Sequence, residues 1–321
     1  MTKANEQLVT IFGADGFVGT QAVQELAQAG YRIRVATRRP DLSGHLRVLG
    51  SVGQILPIQA NVRNMESVEH AVKGATIVIN LVGIKSQSGK QTFENVHIKG
   101  AENVAIAAKN AGAQTLVHMS ALGADKDSKS ISSRSKALGE EAVLKAFPKA
   151  VILRPSIIFG IDDSFFNMFG ALSAISPILP LIGKDSLFQP IYVGDVAKVI
   201  SLAASGKARQ GKIYELGGND VENMKQLLQR VITETKRKNI LLPVPFWLAK
   251  MKAFFLQILP SPLLTVDQVV QLGNDNIVSK EAIKQKRTLS AFGIKPTSMD
   301  IILPTYMWRF REHGQFEKQE A

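Results

Sequence analysis

A short apolar run, Leu8–Phe12, leads directly into Gly13-Ala14-Asp15-Gly16-Phe17-Val18-Gly19, and an amphipathic segment, Val18–Ala29, follows at once. The order strand, glycine loop, helix puts backbone N–H groups and the positive end of a helix dipole at the tip of a β-strand, where they suit a diphosphate. In that role Gly13 permits the tight turn, Gly16 lets the backbone approach the pyrophosphate, and Gly19 lets helix and strand pack closely. A glycine-rich turn without a ligand is the bland alternative, and the flanking strand and helix argue against it. The loop therefore predicts a dinucleotide site that includes Gly13, Asp15, Gly16, Phe17, Val18 and Gly19.

Up to about Gly218, short β-branched apolar runs alternate with amphipathic segments, the pattern of βαβ units and a parallel sheet. Strands are expected near Leu8–Phe12, Arg32–Thr37, Gln54–Ile58, Thr76–Leu81, Thr115–Met119 and Val151–Leu153. Helices are expected at Val18–Ala29, Val68–Val72 and Asn95–Ala111. The fold class is α/β: a Rossmann-type doubly wound parallel sheet with a smaller, mostly helical C-terminal lobe. Residues 1–160 and about 190–204 are assigned to the first domain, and about 161–189 and 205–321 to the second. A 45% hydrophobic and 21% charged composition suits a globular protein with a sizeable core.

Several classes are excluded or disfavoured. The chain has no cysteine, which removes disulfides and thiolate metal sites. No metal-ligand spacing appears among His45, His70, His97, His118 and His313. Met1–Gln7 lacks the basic start and apolar middle of a secretory signal, so a reducing, cytoplasmic interior is expected. Two uncharged stretches, Ser164–Gly183 and Ala253–Val266, are too broken or too short to span a membrane. The net charge of +12 suits an anionic membrane, an acidic partner or nucleic acid, but no basic-aromatic RNA motif is present, so nucleic acid is unlikely.

The spacing of the three glycines resembles that of the short-chain dehydrogenase/reductase superfamily in its extended and atypical branches. The second strand ends in Thr37-Arg38-Arg39, where an NAD-specific protein would place a carboxylate on the ribose hydroxyls. An arginine there can pair with a 2′-phosphate and stack on adenine, which favours NADP(H) over NAD(H); a solvated basic turn is the competing reading. The resemblance further implies cofactor contacts from Asn61 and Val62 after the third strand and from Leu81, Val82 and Gly83 after the fourth. It also implies Met119 after the fifth strand, and Pro155 and Ile158 in the strand and loop flanking the nicotinamide.

Reductases of that superfamily carry a tyrosine four residues before a lysine on one helix, so that the ammonium lowers the phenol's pKa for proton transfer. Here Lys136 matches the lysine and Ser132 stands at the tyrosine position, while Tyr31, Tyr192, Tyr214 and Tyr306 lie elsewhere. Ser120 matches the polar position near the substrate carbonyl, or else caps a turn. Lys136, Ser120 and Ser132 are thus catalytic candidates in an incomplete set. His97 and His118 read as hydrogen-bonded structural histidines.

Beyond Gly218, Asn223–Thr235 reads as a helix. Pro243–Leu259 gathers Phe246, Trp247, Leu248, Met251, Phe254, Phe255 and Ile258 around Lys250 and Lys252. Those aromatics suit either an interfacial helix or partner groove, or the core of the small lobe. With Pro243-Val244-Pro245-Phe246-Trp247, Leu259–Gln268, Gly273–Val278 and Tyr306–Arg311, the chain resembles the NAD(P)H-binding accessory subunit of respiratory complex I, the NADH:ubiquinone oxidoreductase alpha-subcomplex subunit nine family. That resemblance implies a non-catalytic NADP(H)-binding protein that partners complex I subunits and the membrane surface. It would sit peripherally on the cytoplasmic face of the inner membrane, or on the matrix side if mitochondrial. An NADP-dependent reductase or epimerase-like enzyme with an unusual proton donor, and an NADP(H)-sensing regulator, remain open as alternatives.

Overall fold

A computed structural model of the protein describes residues 7–257, 262 and 264–316. The chain begins with β1 (Leu8–Phe12), α1 (Phe17–Gln28), β2 (Arg32–Thr37), β3 (Ile55–Gln59), α2 (Met65–Val72) and β4 (Ile77–Asn80). A π-helical stretch, Glu94–Lys99, runs into α3 (Gly100–Asn110), then β5 (Thr115–Met119), α4 (Ile131–Ala146), β6 (Val151–Pro155) and β7 (Ile158–Phe159). Next come α5 (Phe165–Ile175), β8 (Ile178–Leu181), β9 (Leu187–Phe188), β10 (Ile191–Tyr192), α6 (Val193–Ala204), β11 (Ile213–Leu216) and β12 (Glu222–Asn223). After α7 (Met224–Thr235), β13 (Ile240–Pro243), α8 (Phe246–Leu256) and α9 (Val266–Gln271), only short helices follow.

These elements form two compact units, interleaved along the chain. The first takes residues up to Pro155, Gly194–Leu216 and Ser279–Lys295; the second takes Ser156–Val193, Gly217–Val278 and the residues from Pro296 onward.

The first unit is built on a seven-stranded parallel sheet of order β11-β6-β5-β4-β1-β2-β3. Its direction of winding reverses between β1 and β4, which opens a crevice at the carboxyl ends of those strands. Every residue of β4 is buried, as expected of a strand covered by helices on both faces. Val68, Val104, Leu116, Val143 and Ile152 belong to one such covering core.

The apolar stripe of Asn95–Ala111 predicts an α-helix throughout, but its first turns are π-helical. A Cβ at Gly139 of α4 would lie 2.0 Å from the His97 carbonyl oxygen, so the wide turn and the missing side chain accompany each other. In this wall His97 Nε2 accepts from the Ile84 N–H at 3.1 Å, which leaves Nδ1 to donate to Ser135 Oγ at 2.8 Å. His118 on β5 bonds Asn80 on β4 at 3.2 Å. Also on α4, Glu140 is buried against Arg154 of β6 in a two-pronged ion pair of 2.8 and 2.6 Å.

In the second unit α5 and α7 enclose Phe159, Phe166, Leu227, Leu228, Tyr306 and Met307. Asp163 caps α5 by accepting from Phe166 N at 2.7 Å and Asn167 N at 3.2 Å, and it also accepts from Tyr306 Oη at 2.5 Å. Arg230 of α7 bridges Glu222 and Asp300.

The helix expected in Pro243–Leu259 is α8, but it buries Ala249 and Ala253 and leaves its aromatic rings exposed. Its reading as a core filler is thereby corrected: the small residues face inward, so the large ones have no interior to fill. Ile258, Leu259, Pro260, Ser261 and Leu263 of that region, like Met1–Glu6, lie outside the described residues.

Burial, with the nearby Lys136 ammonium adding to it, lowers the pKa of both His97 and His118 from 6.5 to about 3. Depressed folded values mean that the unfolded chain takes up these protons first as pH falls. Their contribution to stability is therefore whole above about pH 6.5 and is lost progressively toward pH 3. Urea unfolding of His118→Gln should show a shallower loss than the parent between neutral pH and pH 4.5, by on the order of 2 kcal/mol. Parallel curves would show that His118 is not held neutral.

Candidate functional site

The loop after β1 is shaped by atoms that are absent. Gly13 has φ +78°, and a Cβ on it would lie 3.1 Å from Leu81 C and Val82 N. A Cβ on Gly19 would lie 2.2 Å from Gly13 O and 2.5 Å from Ala14 Cα, so only glycine lets the first turn of α1 rest on the loop. Gly16 caps α1 with no side-chain bond, and no acidic residue stands in the first turn. The first amides of α1 thus keep their capacity to donate to an anion. Asp15 accepts from Thr37 Oγ1 at 2.6 Å, which ties the loop to the end of β2.

A cleft of about 210 Å³ lies over this crevice. Among the residues expected at the site, it brings together Gly13, Asp15, Gly16, Thr37, Arg38, Asn61, Val62, Leu81, Val82 and Gly83. That volume is below the roughly 300–1,000 Å³ of a complete small-molecule site, which suits one half of an elongated ligand. Phe17, Val18 and Gly19 do not line it: they form the first turn of α1, where Gly19 acts through packing.

The two arginines after β2 part company. Arg38 lines the cleft and has no hydrogen-bond or ion-pair partner among the described residues. Arg39 turns to Asp41 in a two-pronged exposed pair at 3.1 and 2.8 Å. The sequence reading did not single out Arg63, which also lines the cleft and donates from Nη1 to Lys90 O at 3.1 Å. The signal available was its place next to Asn61 and Val62, with Asn61 Oδ1 accepting from the Arg63 N–H at 3.2 Å.

A second group adjoins the Gly83 wall. Lys136 Nζ would lie 3.2 Å from a Cβ on Gly83, and it donates to Met119 O at 3.4 Å. Burial lowers its pKa from 10.5 to about 8, against an opposing pull from Glu140. Ser120 Oγ is buried with no hydrogen-bond partner among the described residues, although its backbone N–H donates to Leu153 O at 2.7 Å. Ser132 stands one helical turn before Lys136, and its carbonyl accepts from Ser135 Oγ at 2.7 Å.

No tyrosine of the first unit replaces the missing phenol. Tyr31 is buried just ahead of β2, and Tyr214 Oη on the edge strand β11 accepts from Arg209 N at 2.8 Å. Pro155 ends β6, where its carbonyl accepts from Leu122 N at 2.9 Å. Ile158 belongs to the second unit, paired with Ile191 of β10.

Comparison with known proteins agrees with this geometry. The NAD(P)H-binding family profile matches residues 13–151, the stretch that carries the glycine loop, the cleft and Lys136, so the chain contains a nicotinamide-dinucleotide-binding domain. An NADPH-dependent quinone oxidoreductase from Escherichia coli shares the fold, with a TM-score of 0.71 at 18% identity over 93% of this chain and 98% of that one. A protein of Caulobacter vibrioides named ceramide reductase is 34% identical over 190 residues, 59% of this chain and 58% of its own length. The mitochondrial NADH dehydrogenase [ubiquinone] 1 alpha subcomplex subunit 9 of Arabidopsis thaliana is 35% identical over 290 residues, covering 86% of this chain and 72% of the relative. With that identity over that span, the chain belongs to the NADH dehydrogenase [ubiquinone] 1 alpha subcomplex subunit 9 family.

Proposed function

We propose that this protein holds NADP(H) as a non-catalytic accessory component of a respiratory NADH:quinone oxidoreductase, peripheral on the cytoplasmic face of the membrane or its mitochondrial equivalent. The observation that carries the cofactor choice is Arg38, an exposed arginine that lines the cleft at the end of β2 and pairs with no carboxylate among the described residues. A 2′-phosphate offers such a group two acceptor oxygens, whereas unmodified ribose hydroxyls leave its charge unmatched. The residues present fit a dinucleotide: Gly13 and Gly16 leave the loop without side chains to obstruct it, and the start of α1 is uncapped.

The non-catalytic reading is supported by Ser132 in the place of a phenol, because a serine hydroxyl does not release a proton at neutral pH. Lys136 serves in this reading as a ribose-holding ammonium. Association with the respiratory complex rests on the relatives' names, and no helix among the described residues is long and apolar enough to cross a membrane.

One observation favours a second reading. Ser120 Oγ, buried and without a partner, lies just after Met119, whose carbonyl receives the Lys136 ammonium. In a reductase Ser120 would donate to a substrate carbonyl and Lys136 would deliver a proton to the same oxygen. The relative named ceramide reductase makes a lipid carbonyl the compound to try. A bound nicotinamide would supply hydride chemistry in that case.

Calorimetry decides the cofactor: Arg38→Ala should weaken NADPH binding roughly 10- to 100-fold while leaving NADH binding nearly unchanged. An equal loss for both would remove Arg38 from the role assigned to it. Turnover decides the rest. NADPH oxidation should stay at background with ketone, quinone, sugar-nucleotide and oxidised-ceramide substrates, and steady oxidation that Lys136→Ala abolishes would replace the accessory reading with the reductase.

A further inference from the structure

Glu140 stands four residues after Lys136 on α4, which puts the two side chains one turn apart on the same face of the helix. An ammonium and a carboxylate at that spacing ordinarily attract, yet Lys136 makes no ion pair among the described residues. Glu140, 3% exposed, commits both of its oxygens to Arg154 of β6: Oε1 accepts from Nε at 2.8 Å and Oε2 from Nη2 at 2.6 Å. Glu215, the register partner of Arg154 on β11, and Asp125 face that guanidinium as well.

The Lys136 ammonium is directed elsewhere. Its Nζ donates to Met119 O at the end of β5 and lies beside Gly83, in the wall of the cleft. The ionisable groups that face it from other packed elements are His97 of the π-helical stretch and His118 of β5. Burial holds both neutral at physiological pH, so neither offers a counter-charge. A guanidinium fork grips a carboxylate through two parallel bonds, which a single ammonium does not match, so Arg154 wins the competition for Glu140. A buried carboxylate is costly, and an apolar side chain would pack as well in its place. Set one turn from Lys136, it acts on the ammonium through its field without drawing it out of position.

We propose that Arg154 is a positioning residue for Lys136: by engaging both oxygens of Glu140, it keeps the Lys136 ammonium unpaired and turned to the Gly83 wall of the cleft. Without the fork Glu140 has an oxygen free, and Lys136 bends back along α4 to meet it. The cleft then loses its cation although the lysine is still present. The same arrangement sets the ionisation of Lys136, which burial lowers to about 8 against the pull of Glu140. That this ammonium meets a ribose rests on the dinucleotide reading; its orientation does not.

The test is a titration of the full chain carrying carbon-13 lysine, by nuclear magnetic resonance, with the Lys136 signal identified by its loss in Lys136→Met. NADPH affinity is followed by calorimetry over the same pH range. In the parent chain Lys136 should titrate near pH 8, and NADPH should bind more weakly above it as the ammonium loses its proton. In Arg154→Met the midpoint should rise by roughly 1 to 2 pH units. NADPH should then bind roughly 5- to 10-fold more weakly at neutral pH, with little further loss through the pH range in which the parent weakens. Arg154→Lys, which keeps a cation beside Glu140 but not the fork, should move both readouts in the same direction by less, and it carries the test if Arg154→Met does not fold. Adding Glu140→Gln to Arg154→Met should return the midpoint to that of the parent or below. A structural role alone would lower the melting temperature, and the affinity at every pH, without moving the midpoint; that result in a folded Arg154 variant overturns the proposal. A parent chain that binds no nicotinamide dinucleotide would overturn the dinucleotide reading instead, and the midpoints of the ligand-free chains would still decide the role of Arg154.

Discussion

The approach of Gly19 to the carbonyl of Gly13 is the constraint on which the dinucleotide site depends. A single methyl group at position 19 would have to sit 2.2 Å from that oxygen, and α1 would lift away from β1. The start of α1 would then no longer meet the crevice where the sheet reverses its winding, and the uncapped amides would face water instead of a ligand. The Asp15–Thr37 bond extends the same constraint to β2, setting the loop in register with the strand that presents Arg38. The placing of the helix start and of Arg38 along one cleft thus follows from one close backbone contact.

The parts of the fold that were legible in the sequence are those where one periodicity acts alone. β1, β2 and β5 fall on their expected residues because each is a short apolar run bounded by turn residues. β11 was not anticipated: Ile213-Tyr214-Glu215-Leu216 is an edge strand, and its pairing with β6 depends on contacts distant in sequence. The π-helical turns before α3 were equally hidden, since the pattern of apolar residues is the same in both helix types and the close approach that accompanies them is to Gly139, some forty residues further on. α8 shows the opposite failure. Its composition suggested a buried helix as readily as an exposed one, because composition does not record which face meets the interior.

Within the site, backbone roles were easier to read than side-chain commitments. The cleft collects Gly13, Gly16 and the residues after β2, β3 and β4, whose positions follow from the parallel topology. Adjacent arginines in a sequence look equivalent, yet Asp41 claims Arg39 and leaves Arg38 to the cleft. Lys136 shows how much burial alters a group whose identity was plain from the start. With neutral His97 and His118 beside it and Glu140 engaged by Arg154, its ammonium is far easier to deprotonate than an exposed lysine.

The interleaving of the two units bears on how the chain can be made. Edge strand β11 has its outer neighbours in Ser279–Lys295, where Arg287 donates from Nη1 to Ile213 O at 2.8 Å and the Phe292 ring packs tilted against that of Tyr214, centroids 5.0 Å apart. The second unit draws Tyr306 in to complete the cap of α5. On a ribosome the first unit lacks its last segment until Lys295 has emerged, and the second until Tyr306 has, so neither can be completed from the N-terminal half of the chain alone. The nascent sheet must wait with one edge uncovered, which makes that edge the place where a holding chaperone is most needed during synthesis.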